Sequence, residues 1–148
     1  MKIDEKDYNN LVISLTSKLA RICGKAIEIP LEKVGVTLQE FKIVGLLIGE
    51  KGVMQKTLAK KLMVRPSTLS VAIDKLESKG TIQRKISPED KRINYLSLCN
   101  GIDLSEMNTL LFDTESQMLK GISPEEVEVT VKTLQLMIKN LEEELNDS

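Results

Sequence analysis

The sequence contains no histidine and no tryptophan, and aromatic residues make up only 3% of its 148 positions. Histidine is the commonest general base and the commonest metal ligand in proteins, so its absence argues against a hydrolase or a metalloenzyme. The sequence also lacks a phosphate-binding glycine loop and a paired nucleophile and base. We therefore expect a protein that is not an enzyme, that carries no metal or cofactor, and that has an aliphatic core.

Cysteines and long apolar runs are also scarce. Cys23 and Cys99 are separated by 76 positions with no other cysteine nearby, so no structural zinc site is expected. No run reaches the roughly 18 to 20 apolar residues that a membrane-spanning helix needs, and the first residues lack an apolar signal-peptide core. These absences predict a folded cytoplasmic protein with no membrane partner.

The net charge is -1, but the charged residues are unevenly distributed along the chain. Residues 1–50 hold seven basic and seven acidic side chains, residues 51–92 hold eleven and four, and residues 93–148 hold three and eleven. The middle segment therefore carries +7 and the last segment -8. A basic segment of this kind is what a polyanion would bind, although a solvated helix can be lysine-rich without such a role.

Two helices are expected before the basic segment. Apolar residues recur every three or four positions from Asp4 to about Ile29, which predicts one amphipathic helix ended by Pro30. Thr37 and Glu40 form a capping box that predicts the start of a second helix. That helix should end after Glu50, at Gly52, and should bury Phe41, Val44, Leu47 and Ile48.

The basic segment reads as helix, turn, helix and hairpin. A short helix over about residues 55–62 would bury Leu58, Ala59 and Leu62, and Pro66 suits the first position of the next helix. The second of these helices would bury Leu69, Ile73 and Leu76, and Gly80 would cap it. Residues 81–86 and 93–98 are β-branched and aliphatic runs on either side of a turn, which predicts a hairpin. Side chains alternate between the two faces of a strand, so Leu96 and Leu98 would lie on the face opposite Ile93 and Tyr95.

A helical C-terminal region follows Gly101. Leu104, Met107, Leu111 and Met118 make a loose helical pattern, and Ser123-Pro124-Glu125-Glu126 predicts the start of a last helix. Apolar residues then alternate at spacings of four and three, which forms a heptad seam that another surface must cover. The seam consists of Val127, Val131, Leu134, Ile138, Leu141 and Leu145.

Four segments together resemble the MarR family of bacterial transcription regulators. They are Thr57-Leu58-Ala59, Arg65 to Ser70, Asp74 to Gly80, and the wing signature Ser87-Pro88-Glu89-Asp90-Lys91-Arg92. The resemblance implies a mainly α fold with a small β-hairpin wing, in which 35–100 form a winged helix-turn-helix module. It also implies that 1–34 and 101–148 form a helical dimerisation lobe. The expected dimer interface contains Leu11, Leu15, Leu19, Ile22, Leu134, Ile138, Leu141 and Leu145.

The resemblance further implies a homodimer that binds a pseudo-palindromic site in double-stranded DNA, as a repressor in preference to an activator. A recognition helix over about residues 66–79 would enter the major groove, and a wing over about residues 84–93 would reach the minor groove. Asp90 would orient Arg92 or a neighbouring base. The expected contacts are Gln55, Lys56, Arg65, Ser67, Thr68, Ser70, Val71, Lys75, Arg84, Lys85, Lys91 and Arg92. Helix capping and ordinary surface charge are the alternative explanations.

Several alternatives stay open at this stage. Many family members carry a basic residue where this chain has Val71, so base readout would depend on thymine methyl groups or on Arg65. Cys23 is a candidate redox sensor, although a role as a small buried hydrophobe is the preferred explanation. A small amphipathic or phenolic ligand would release the DNA in many relatives. A winged dimer that binds an acidic protein is the competing function.

Overall fold

The structure is a computed structural model that describes residues 4–148. It is mainly α-helical with one small antiparallel sheet, as the sequence predicts. Two compact units are distinguished, one ending at Leu111 and one covering Phe112–Ser148. The three-part functional division stays a prediction. The elements are α1 Glu5–Asn9, α2 Val12–Lys33, α3 Leu38–Leu47, β1 Val53–Met54, α4 Gln55–Leu62, α5 Pro66–Ser78, β2 Ile82–Ile86, β3 Asn94–Leu98, α6 Ser105–Met118 and α7 Pro124–Asn146.

The N-terminal region differs from the single helix that we expected. α1 ends at Asn9, where the side-chain amide of Asn10 donates to the carbonyl of Lys6, and α2 begins at Val12. The expectation that Pro30 ends the helix is wrong, since α2 continues to Lys33. An interior proline costs about 3 kcal/mol, but the adjacent Leu31 is fully buried. Its burial contributes about 1.5–3 kcal/mol, which is comparable with the cost of the proline.

The capping box at the start of α3 is confirmed. The Glu40 amide donates to Thr37 Oγ1 at 3.1 Å, and the Thr37 amide donates to Glu40 Oε2 at 3.3 Å. The predicted buried face is only partly correct, because Phe41 is half-buried and Ile48 is exposed. The helix ends at Leu47, before the left-handed Gly49, and not near Gly52 as expected. The buried residues of α3 are Glu40, Ile43, Val44 and Leu47.

A single hydrophobic core joins α3, α4, α5 and the sheet. The expected core residues of α4 and α5 are buried, except that Leu62 is only half-buried. Leu104 and Met107 pack against the same core. Gly80 follows the end of α5 and has a φ of +75°, so it caps the helix as expected. The fully buried side chains include Ile43, Leu58, Leu69, Ile73 and Leu96.

The sheet has three strands in the order β1-β3-β2, with both pairs antiparallel. The predicted hairpin is confirmed, but β1 was not predicted, because two residues are too short for a periodic pattern. Leu96 is opposite both Val53 and Arg84 and is fully buried, whereas Tyr95 is on the other face. The inward face of β3 therefore includes Leu96 and Leu98, which explains the phase conflict in the sequence.

The C-terminal helices agree with the sequence. Ser123 Oγ accepts the amide of Glu126 at 3.2 Å, and Pro124 occupies the first turn of α7. The predicted seam is helical throughout, and within one chain its members from Val131 to Leu145 are exposed. Among residues 4–148, no helix is long and apolar enough to cross a membrane.

Candidate nucleic-acid interface

α4 and α5 form the helix-turn-helix predicted from residues 54–80. The turn between them passes through Met63, whose φ of 54° is in the left-handed region, and whose side chain is 88% exposed. The side-chain nitrogen Nε2 of Gln55, at the start of α4, donates to Ser70 Oγ at 2.9 Å. Both side chains are half-buried, so this bond joins the two helices from within the module. Gln55 and Ser70 are therefore positioned to set the angle between α4 and α5.

The outward side of α5 is opposite its buried stripe of Leu69, Ile73 and Leu76. Ser67 and Val71 are one helical turn apart on this side, and Val71 is 70% exposed. Thr68 and the N-cap residue Arg65 are also exposed, and the Arg65 side chain does not cap the helix. The helix start thus presents two hydroxyl groups, one isopropyl group and one guanidinium to the solvent.

The flanks of α5 are engaged in ion pairs that the sequence analysis missed. Arg84 Nη2 donates to Asp74 Oδ1 at 2.8 Å, which ties β2 to the recognition helix. Arg84 is therefore in the middle of β2 and half-buried, and not near the hairpin tip as expected. Lys75 Nζ is 3.5 Å from Glu40 Oε1, so this ammonium group is directed toward α3.

The buried carboxylate of Glu40 is paired with two lysines whose side chains reach the solvent. Lys79 Nζ donates to Glu40 Oε2 at 3.0 Å and to the carbonyl of Gly35 at 3.2 Å. Burial of the Glu40 carboxyl would raise its pKa, but the hydrogen bonds from Lys79 and Thr37 and the charges of Lys79 and Lys75 outweigh this. The net result is a pKa below the ordinary value of 4.5. One carboxylate thus links the capping box of α3 to the second half of α5.

The wing tip is organised by Asp90 and Ser87. Arg92 Nε and Nη2 donate to the two oxygens of Asp90, each at 3.1 Å, and the Arg92 amide donates to Asp90 Oδ1 at 3.0 Å. These bonds hold the pKa of Asp90 below its ordinary value. The Arg92 side chain nevertheless remains 90% exposed. Ser87 is buried, and its hydroxyl accepts the amides of Glu89 and Asp90, which closes the turn.

A groove of about 430 Å³ connects the start of α4 to the base of the wing. Its lining includes Gln55, Lys56 and Arg92, which the sequence could not place together because they are far apart along the chain. Lys85 and Lys91 are exposed on the same hairpin. Exposed cations from α4 and the wing therefore border one concave surface.

One signal could have identified the role of Glu40 from the sequence, but none could have identified that of Asp74. Position 40 continues the spacing of Ile43, Val44 and Leu47 on the buried face of α3, so a carboxylate there needs a cationic partner. Asp74 is exposed and offers no such signal, because its pairing with Arg84 depends on how β2 packs on α5.

The two cysteines are half-buried and form no disulfide with each other. Within residues 4–148, no group of three potential ligands is placed to hold a metal ion.

Known proteins share both the sequence of the central module and the fold. The family model described as the MarR family matches residues 36–93. A MarR family transcriptional regulator from Silicibacter pomeroyi is 19% identical, with a TM-score of 0.82 over 93% of each chain. The regulator BldR from Sulfolobus solfataricus is 24% identical, with a TM-score of 0.77 over 93% of this chain and 99% of that one. CouR from Rhodococcus jostii RHA1, bound to p-coumaroyl-CoA, is 20% identical, with a TM-score of 0.73 over 87% and 92%.

The helix-turn-helix, the three-stranded sheet and the charged hairpin define a winged helix protein of the DNA-binding type. The match over residues 36–93 shows that the central module is similar to the MarR family, which is the family that the sequence resembled. Several proteins that share this fold are described as transcriptional regulators.

Proposed function

We propose that the protein is a homodimeric repressor that binds a pseudo-palindromic operator in double-stranded DNA. α5 would enter the major groove, and the wing would follow the backbone into the adjacent minor groove. Occupancy of an operator that overlaps a promoter would exclude RNA polymerase.

The wing tip carries this proposal. The guanidinium of Arg92 is 90% exposed, yet two hydrogen bonds to Asp90 fix its orientation. A pre-oriented arginine loses little conformational entropy when it enters a narrow minor groove, where the electrostatic potential is most negative. A hairpin that only carried solubilising charge would gain nothing from this constraint.

The other expected contact residues divide by their surroundings. Exposed cations would neutralise phosphates, while Ser67, Thr68 and Val71 face the bases. Gln55, Ser70, Lys75 and Arg84 are each bonded within the module and would mainly position α4, α5 and the wing. The proposed phosphate contacts are Lys56, Arg65, Lys85 and Lys91, whereas Arg92 is the proposed minor-groove contact.

Dimerisation is supported by two exposed apolar stripes. On α2, Leu15, Leu19 and Ile22 are 46–56% exposed, and Leu11 at the N-cap is 38% exposed. On α7, Leu134, Ile138, Leu141 and Leu145 are 39–67% exposed. Soluble proteins rarely leave such continuous apolar surface in water, so a second copy of the chain would cover both stripes. The dimer would hold the two α5 helices about 34 Å apart, one turn of DNA.

Ligand control would act on the first unit. A cavity of about 170 Å³ there is lined by Val36, Val44, Leu76, Met107 and the Glu40–Lys79 pair. Ligand sites usually measure about 300–1,000 Å³, so this cavity suits a single-ring phenol and would have to open for anything larger. A compound that pushed Lys79 away from Glu40 would also disturb the second half of α5.

One set of experiments tests the proposal. Selection of bound fragments from random duplex DNA should yield a palindrome with half-sites about one turn apart, and sedimentation should show a dimer at micromolar concentration. Affinity for that palindrome should fall steeply between 50 and 200 mM salt and exceed affinity for random DNA. A monomer, or binding indifferent to sequence, would contradict the proposal and favour an acidic protein as the partner. Loss of DNA binding on mild oxidation, prevented by Cys23→Ser, would reveal a redox signal in place of a ligand.

A further inference from the structure

We infer that Val71 reads the 5-methyl group of a thymine in each half-site, so the centre of the operator half-site is specified by thymine and not by guanine. This inference rests on the proposed function and adds the chemistry of base recognition to it.

The geometry of α5 places Val71 at the middle of the DNA-facing surface. With 3.6 residues per turn, position 71 is almost opposite the buried stripe of Leu69, Ile73 and Leu76. Ser67 is one turn before it on the same line, and both side chains are exposed. A helix inserted in the major groove with its buried stripe toward the core therefore brings the Val71 isopropyl group to the base edges first.

The charged neighbours of Val71 on α5 that could read a G·C pair in its place, Asp74 by accepting from cytosine and Lys75 by donating to guanine, are engaged in ion pairs. Asp74 is paired with Arg84 at 2.8 Å, and Lys75 is directed toward Glu40 at 3.5 Å. Guanine is recognised in the major groove by a cationic donor facing its O6 and N7 acceptors. Arg65 is one and a half turns before Val71 at the helix start, where a phosphate is as accessible as a base.

An apolar group at this position matches only one feature of the major groove. Thymine alone among the four bases presents a methyl group there, and burying a methyl-sized surface contributes about 0.8 kcal/mol, equivalent to about fourfold in affinity. Any other base would leave the isopropyl group against polar edges that it cannot bond. The exposed valine therefore favours thymine without contributing to non-specific affinity.

The test uses the full-length protein and the operator obtained by selection. Each thymine of one half-site is replaced in turn by deoxyuridine, which lacks only the methyl group. We expect one replacement to weaken wild-type binding about fourfold, and the symmetric double replacement to weaken it about 15-fold. For Val71→Ala, the same replacements should have a clearly smaller effect, because only the β-carbon is left to contact the thymine methyl group. Alanine favours the helical state, so this variant should fold normally.

Two controls separate a methyl contact from indirect effects. Val129→Ala removes the same atoms from an equally exposed helical valine outside the heptad seam, and should keep the full sensitivity to deoxyuridine. Replacement of half-site guanines by 7-deazaguanine removes the N7 acceptor. At the centre of the half-site, this replacement should leave the affinity for the operator unchanged.

The outcomes distinguish this inference from the proposed function. Equal deoxyuridine effects on the wild type and on Val71→Ala, or a half-site centre that loses affinity with 7-deazaguanine, would overturn the role of Val71 while leaving DNA binding intact. Failure to select any DNA sequence would overturn the proposed function and the inference together.

Discussion

Arg84 and Asp74 form a 2.8 Å ion pair that joins the first strand of the wing to the recognition helix. The pair connects the side chains of α5 and β2 directly, and Arg84 is the more buried partner. It fixes the wing relative to the helix that is proposed to enter the major groove.

Breaking the Arg84–Asp74 pair should uncouple the wing from α5. We expect Asp74→Ala and Arg84→Ala to lower operator affinity by similar factors, and the double variant to be no worse than either single variant. In urea unfolding, the double-mutant cycle should give a coupling of about 1 kcal/mol, since Asp74 is largely exposed. If Arg84→Ala alone abolishes binding, Arg84 contacts DNA directly and is not only a positioning residue.

Removal of the wing arginine should weaken DNA binding without changing the dimer. Arg92→Ala should reduce operator affinity strongly and lower the salt slope by about 1, because one cation that displaces counterions from the DNA is lost. Asp90→Asn keeps the arginine but loses the charged hydrogen bonds, so it should show a smaller loss of affinity at an unchanged salt slope. Unchanged affinity of Arg92→Ala, measured by fluorescence anisotropy, would remove the wing from the mechanism.

A charge in the heptad seam of α7 should dissociate the dimer. Ile138→Glu places a carboxylate in the middle of the predicted interface, whereas Val129→Glu places one on α7 outside the seam. Sedimentation equilibrium should show a weakened or absent dimer for the first variant and an intact dimer for the second. Equal behaviour of the two variants would contradict the assigned interface, as would a stable dimer of a chain truncated before Ser123.

Acid should weaken the fold through Glu40. The pKa of Glu40 is lowered in the folded state, so its stabilising contribution is complete above the ordinary value of 4.5 and is lost as the pH falls toward the lower folded value. Glu40→Gln should cost roughly 2 kcal/mol at pH 7 and progressively less below pH 4.5. Urea unfolding at fixed protein concentration measures this, with the exposed Glu77→Gln as control. A constant difference down to pH 3 would show that charge is not what Glu40 contributes.

Relief of the backbone at Met63 should stabilise the protein. Met63 has φ 54° and is 88% exposed, so a glycine there removes steric strain and sacrifices almost no packing. We expect Met63→Gly to raise the free energy of unfolding by about 0.5–1 kcal/mol. Lys61→Gly, two positions earlier inside α4, should lower it by about 1 kcal/mol. A destabilised Met63→Gly would mean that the methionine side chain makes a contact absent from the single chain.

Local signals in the sequence predicted most helix and strand positions. Helix ends were predicted from residues within one turn of each other, and such local signals do not depend on tertiary packing. Examples are the Thr37–Glu40 capping box, the Ser123 cap and Gly80 after α5. The 3.6-residue spacing of Leu69, Ile73 and Leu76 likewise determined which side of α5 faces outward. The prediction that Pro30 ends the helix was wrong because the conformational cost of the proline is offset by the burial of Leu31. That burial depends on tertiary packing and not on neighbouring residues.

By itself, the sequence determined the order of elements, the basic middle segment and the outward position of Val71, because periodicity and charge are properties of neighbouring residues. Only the tertiary structure decided that Glu40 holds Lys75 and Lys79, that Asp74 holds Arg84, and that Gln55 bonds Ser70. Each of those pairs joins different elements. Whether two such side chains meet depends on how whole helices and strands pack, which no local pattern records.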